Sequence, residues 1–102
     1  MTDSPSLQSM KRGAGKAERF LKLLANRRRL MILCHLGQRE MTVGELAASV
    51  GLSSSALSQH LALMRRDKLV TGEKRGQSVY YRVASPEAEA ILAVLYLIFC
   101  RG

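Results

Sequence analysis

Acidic residues are scarce in this 102-residue chain: 8 Asp and Glu stand against 16 Lys and Arg, for a net charge of +8. Such an imbalance attracts polyanions, most commonly nucleic acid, although an anionic membrane surface exerts the same pull. Cysteine is scarcer still. Cys34 and Cys100 stand 66 residues apart, and no Cys-x-x-Cys occurs. Long apolar runs are missing too. The longest, Ala90 to Cys100, has eleven residues, against the ~20 that a membrane span needs. The opening, Met1 to Ser9, lacks the apolar stretch of a signal peptide. These absences predict a cytoplasmic protein with its thiols kept reduced and no membrane partner. The sequence also lacks a nucleophile elbow, a phosphate loop and a metal-ligand cluster. It therefore predicts neither an enzyme nor a cofactor.

What is present fits one domain. Residues 1–15 carry Ser, Pro, Gly and scattered charge, and read as a flexible basic arm before a domain at 16–102. Helical periodicity begins at Ala17 and runs to Ala25. Asn26 is placed to cap a second helix, Arg27 to Leu36, with Gly37 as its C′ residue. Apolar residues surround that helix, which predicts a central, buried element. Thr42-Val43-Gly44-Glu45 has the form of a capping box and opens a third helix through Val50. Gly51-Leu52-Ser53 is a short turn, and Ser53 caps a fourth helix, Ser54 to Arg66. Two helices joined in this way predict a helix-turn-helix.

The period then changes. Val79, Tyr81 and Val83 alternate with Tyr80 and Arg82, as in a strand. Leu69 to Lys74 is its predicted partner, and Arg75-Gly76-Gln77 the turn. Ser85 caps a last helix, with Pro86 at its first position. The predicted class is mainly α with a β-hairpin wing: a winged helix-turn-helix of five helices and a two-stranded wing.

The fourth helix buries Leu57, Leu61 and Met64, joined by Ala56 and Leu63, and presents a polar face. Gln59 suits an adenine edge, and Ser54, Ser55 and Ser58 donate or accept freely. Arg65 and Arg66 suit phosphates, and His60, at the stripe's edge, is either structural or a phosphate contact. Lys74, Arg75 and Gln77 at the wing tip suit the DNA backbone or minor groove. The last helix, with Ile91, Leu92, Val94, Leu95, Leu97, Ile98 and Phe99, has no polar side. An apolar face left over marks an interface, so a homodimer through the first and last helices is predicted. Its two reading helices would sit one DNA turn apart. A protein-interaction module on the same fold is the competing class.

These residues resemble the ArsR family of bacterial repressors over roughly Ala17 to Cys100. The resemblance rests on Leu24-Ala25-Asn26-Arg27-Arg28-Arg29-Leu30, Val43-Gly44-Glu45-Leu46-Ala47, Leu52 to Leu61, and Gly76-Gln77-Ser78-Val79-Tyr80-Tyr81. It implies a homodimeric repressor that leaves its operator DNA when an inducer binds. The family's usual metal ligands are missing: no Cys lies in Thr42 to Ala48, and no His or Asp in the last helix. Cys34 and Cys100 instead resemble the dithiol branch, which implies sensing of reactive sulfur species or oxidants by linking the two thiols. A metal-responsive repressor using both thiols and a His is the alternative. His35 neighbours Cys34, but adjacent helical residues do not face one another. Two positions depart from the family pattern. Lys68 stands where glycine is usual, at a cost of about 1 kcal/mol if left-handed, and Gly72 is expected to loosen the first wing strand.

Overall fold

The computed structural model describes residues 6–100. Among them the chain forms α1 (Leu7–Leu24), α2 (Arg27–Gln38), β1 (Met41–Thr42), α3 (Val43–Val50), α4 (Ser54–Arg66), β2 (Val70–Arg75), β3 (Ser78–Val83) and α5 (Pro86–Phe99). The strands form one antiparallel sheet in the order β1-β3-β2. The fold is the winged helix-turn-helix that the sequence predicts, with one strand more than expected. β1 adds only two residues to the wing, pairing Met41 with Tyr81 and Thr42 with Tyr80. A two-residue strand has no alternation to read.

Local chemistry starts most of the helices. Asn26 Oδ1 accepts the Arg29 N–H at 3.1 Å, Ser53 Oγ accepts from Ala56 at 3.1 Å, and Ser85 Oγ accepts from Ala88 at 3.0 Å. Each satisfies one of the orphan donors of a helix's first turn. The capping box at α3 is complete: Glu45 N–H donates to Thr42 Oγ1, and Thr42 N–H donates to the Glu45 carboxylate at 2.9 Å.

The start of α1 corrects the flexible arm. Residues 7–15 are helical and N-capped by Ser6, which accepts from the Ser9 N–H; residues 1–5 lie outside the described residues. Gly13 and Gly15 lower helix propensity by about 1 kcal/mol each relative to Ala and so hide the helix. Leu7, Met10, Ala14, Ala17 and Leu21 nevertheless recur at the 3-4 spacing of one helical face. Gly37 is not a C′ residue either. α2 continues through it to Gln38, and Arg39 is its C-cap, in an extended conformation.

The end of α4 is a complete Schellman motif. Leu69 N–H donates to Met64 O at 2.8 Å and Lys68 N–H to Arg65 O at 3.0 Å. Lys68 occupies the left-handed C′ position at φ 64°, where glycine is free of strain. Buried Leu69 and Met64 are the apolar pair that accompanies the motif. Gly72 has a different reason for its place than loosening a strand. A Cβ there would lie 2.9 Å from Val79 Cγ1 and 3.0 Å from Tyr81 Cε1, so the glycine makes room for side chains of β3.

The core gathers Leu24 of α1, Ile32, Leu33 and Leu36 of α2, Leu46 of α3, Leu57, Leu61 and Met64 of α4, Val70 of β2 and Ala88 of α5. Leu63, expected to join the buried stripe, is exposed, and so is Met31 on α2. Thus α2 is central but keeps one open edge.

Candidate nucleic-acid interface and thiol pair

α3 and α4 meet at Gly51, whose φ of 71° lets the chain reverse in a three-residue turn. This fixes α4 with Leu57, Leu61 and Met64 inward. Ser54, Ser55, Ser58, Gln59, Arg65 and Arg66 are therefore all exposed together. Neither Arg65 nor Arg66 is neutralised by an ion pair among the described residues. Asp67, the C-cap, turns away from this face and accepts from Arg19 Nε at 3.1 Å and Nη2 at 2.7 Å. That pair fastens α1 to the C-terminal end of α4.

His60 is half-buried on the flank of α4. Burial, then the guanidinium groups of Arg29 and Arg28, push its pKa below the ordinary histidine value, so it is neutral at pH 7. Arg29 is itself occupied: its Nε donates to Leu23 O at 2.6 Å and its Nη2 to Lys22 O at 3.3 Å, tying α2 to the C-terminus of α1. Arg27 and Arg28 remain exposed beside it. Of these two, Arg28 lies near enough to His60 to act on its charge, a role that the sequence does not announce.

The wing turn is tighter than expected. Arg75 is the last residue of β2, opposite Ser78, and Gly76, at φ 64°, opens a two-residue turn with Gln77. Lys74 and Gln77 are exposed. Arg75 is not free: both ends of its guanidinium are held by carboxylates. Glu40, 35 residues away, gives no hint of this in the sequence.

The two thiols come together. Cys34 on α2 and Cys100 at the end of α5 line one open cavity of about 490 Å³, with Met31, Gly37, Leu92 and Tyr96 around them. Both are free. Partial burial, and then the neighbouring Cys100, push the Cys34 thiol up from its ordinary pKa. No group of three or more His, Cys, Asp or Glu among the described residues is arranged to hold a metal ion. The thiol-and-histidine metal site therefore finds no gathered ligand set among the described residues. Over its last turns α5 leaves Val94, Tyr96, Leu97, Ile98 and Phe99 exposed around most of its circumference, Phe99 to 76%. Among the described residues, no helix is long and apolar enough to cross a membrane.

Known proteins are similar to this chain in sequence and fold. A family model described as bacterial regulatory protein, arsR family, matches residues 26–71. The chain is 47% identical over 97 residues to the transcriptional activator HlyU of Vibrio cholerae, spanning 95% of this chain and 90% of the relative. It is 36% identical over 94 residues to a biofilm growth-associated repressor of Agrobacterium fabrum, spanning 92% and 80%. Among solved structures, reduced HlyU from Vibrio cholerae superposes with a TM-score of 0.86 at 47% identity, over 93% of this chain and all of that one. The transcriptional repressor BigR from Xylella fastidiosa gives 0.87 at 31% identity, over 96% and 100%. With a helix-turn-helix, a wing and relatives matched over nearly their whole length, this chain is a transcriptional regulator and belongs to the arsR family of bacterial regulatory proteins.

Proposed function

We propose that the chain is a homodimeric, operator-binding repressor that reads DNA with α4 and is released when Cys34 and Cys100 are linked by reactive sulfur species or oxidants. The carrying observation is that the two thiols share one cavity between α2 and α5. Packed helices lie about 8–10 Å apart, and a disulfide needs Cα atoms about 4.4–6.8 Å apart. Closing the bridge draws the end of α5 toward α2. α5 also carries the exposed apolar face of the proposed dimer, so its movement changes how the two reading helices are held. Only a difference in strain between the DNA-bound and free conformations alters affinity.

The chemistry balances without a metal. Peroxide takes two electrons and two protons from the thiols, giving a disulfide and two waters. A persulfide RSSH transfers its outer sulfur to one cysteine with release of RSH, and the second thiol then displaces hydrogen sulfide to form the disulfide. Partial desolvation and the neighbouring Cys100 raise the Cys34 pKa, which lowers its thiolate fraction and slows its attack on weak electrophiles.

On α4, Gln59 with Ser54, Ser55 and Ser58 reads base edges, while Arg65, Arg66, His60, Lys74 and Gln77 meet the backbone and the adjoining groove. Relatives support the assembly: a Mycobacterium bovis neighbour, 28% identical with a TM-score of 0.76, is described as a homodimeric winged helix-turn-helix DNA-binding domain. Relatives are named both activator and repressor, and the DNA-binding step is common to the two.

The test is operator binding by reduced, peroxide-treated and persulfide-treated protein, with mass spectrometry of each product. Wild type is expected to lose the operator on treatment, with the loss of two hydrogens per chain. Cys34→Ser and Cys100→Ser are expected to stay bound. Release of either single variant as readily as wild type overturns the thiol switch and leaves the DNA-binding reading standing.

A further inference from the structure

The wing tip carries a cation that is already spoken for. On β2, Glu73 and Arg75 point to the same side of the sheet, and Tyr80, opposite Glu73 on β3, joins them. β1 pairs with β3 and so delivers Glu40, the residue before it, to this same face. Arg75 Nη1 donates to Glu40 Oε1 at 2.9 Å and Nη2 donates to Oε2 at 2.8 Å. Its Nε and Nη2 also donate to Glu73 Oε1, at 3.2 and 2.6 Å. The guanidinium carbon lies 5.0 Å from the Tyr80 ring centroid. Two carboxylates therefore share one guanidinium, with a ring against its face, and Arg82, on the same face of β3, adds a second, more distant cation to Glu40.

We infer that Arg75 is a positioning residue, which straps the wing to Glu40 at the corner before β1, and that Lys74 supplies the wing's cationic contact to DNA. The inference rests on the DNA-binding reading above and divides the wing's labour within it. Fork-to-fork pairing of Arg with a carboxylate fixes geometry as well as charge, and this one joins segments 35 residues apart. A phosphate arriving at Arg75 would have to displace Glu40 while facing Glu73. The Arg75 hydrogen bonds hold the Glu40 carboxyl below the ordinary carboxylate range, the mark of a settled pair. Lys74 alternates to the other face of the strand, is exposed and has no ion pair among the described residues.

Salt titration separates the two roles, because each phosphate contact adds to the slope of log affinity against log salt. The probe is a duplex selected from a random library by the reduced wild-type protein, titrated over roughly 50–300 mM salt. Lys74→Gln is expected to flatten the slope by about 0.9 per chain in contact. Glu40→Gln and Arg75→Gln are each expected to weaken binding about fivefold at an unchanged slope, a modest loss typical of an exposed ion pair. The double variant is expected to be no worse than either single one. In the free protein, both single variants should speed amide hydrogen exchange across residues 74–79. An Arg75→Gln slope as flat as that of Lys74→Gln, or tighter binding by Glu40→Gln, overturns the strap and makes Arg75 a phosphate ligand that Glu40 holds back. If the wild type binds no duplex, the DNA-binding reading has failed; the strap then stands or falls on hydrogen exchange, and an unchanged wing in Glu40→Gln overturns it.

Discussion

α4 and α5 both leave a face uncovered, for opposite reasons. The open face of α4 is Ser54, Ser55, Ser58, Gln59, Arg65 and Arg66. Water satisfies these groups, so the face is stable as it stands and remains available to phosphates and base edges. The open surface of α5 is Val94, Tyr96, Leu97, Ile98 and Phe99, spread round its last turns. Water gives those side chains nothing, and each buried apolar side chain of this size is worth about 1.5–3 kcal/mol. A polar face waits at no cost, whereas an apolar one needs a partner. The same contrast runs along α1, where the Arg19 side holds Asp67 of α4 while Leu7, Met10 and Leu21 stay exposed on another side. On the reading proposed here, the chain thus separates the surface it offers to DNA from the surface it offers to a second copy.

A charge on the apolar face gives the largest effect expected. Ile98, 63% exposed, becomes buried in the dimer proposed here, so Ile98→Glu places a carboxylate in an apolar contact. A cost on the order of 3 kcal/mol weakens dimerisation more than a hundredfold, which sedimentation at micromolar concentration reads directly. Operator affinity is expected to fall with it, since one half-site remains. A wild type that sediments as a monomer removes the contrast between the two faces.

The matching change on the polar face is smaller. Gln59→Ala is expected to leave the dimer intact and to lose about 1–3 kcal/mol of specific binding, the worth of a bidentate base contact. Affinity for unrelated sequence should hold, because the phosphate contacts remain. Equal losses on both duplexes would make Gln59 a backbone contact.

The polar face was legible in the sequence because it is the complement of a buried stripe: once Leu57, Leu61 and Met64 are inside, the rest of α4 must be outside. The starts of α2, α3, α4 and α5 were legible because a cap lies within three residues of the group it satisfies, as at Asn26, Thr42, Ser53 and Ser85. What escaped was either disguised or distant. Gly13 and Gly15 masked the first turns of α1, and Gly37 looked like an end but sits inside α2. β1 exists only through pairing with Tyr80 and Tyr81, and the Glu40–Arg75 contact only through that pairing. The meeting of Cys34 and Cys100 was expected from family resemblance, since nothing in either residue's local sequence announces it.

A smaller effect tests the junction between α4 and the wing. Lys68 is the C′ residue of a Schellman motif at φ 64°, a conformation that costs a non-glycine residue about 1–2 kcal/mol. Lys68→Gly relieves that strain but loosens the unfolded chain by about 0.4–1 kcal/mol. The net expectation is a gain of about 0.5–1 kcal/mol per chain, or several degrees in Tm, with the preference between operator and unrelated sequence unchanged. A lower Tm would mean that the exposed lysine makes contacts worth more than the strain.

His60 gives the smallest effect, and it links the two faces of α4. Burial and the nearby Arg29 and Arg28 lower its pKa in the folded chain, so the fold binds this proton less readily than the unfolded chain does. Stability from His60 is therefore complete above the unfolded value of about 6.5 and is lost as the pH falls below it toward the folded value. Glu40 and Glu45, whose pKa values are also lowered, contribute stability that is lost only further into acid, below the ordinary carboxylate value of about 4.3. Between roughly pH 7.5 and 5 the Tm of the reduced protein is expected to decline, and His60→Gln is expected to flatten that decline. DNA reverses the sign. A phosphate beside the imidazole favours its protonated form, so operator affinity at constant salt should rise over the same interval in wild type and less in His60→Gln. A variant that flattens the stability curve but leaves the affinity curve alone would make His60 a structural residue facing α2. One that changes both would place it against the DNA backbone.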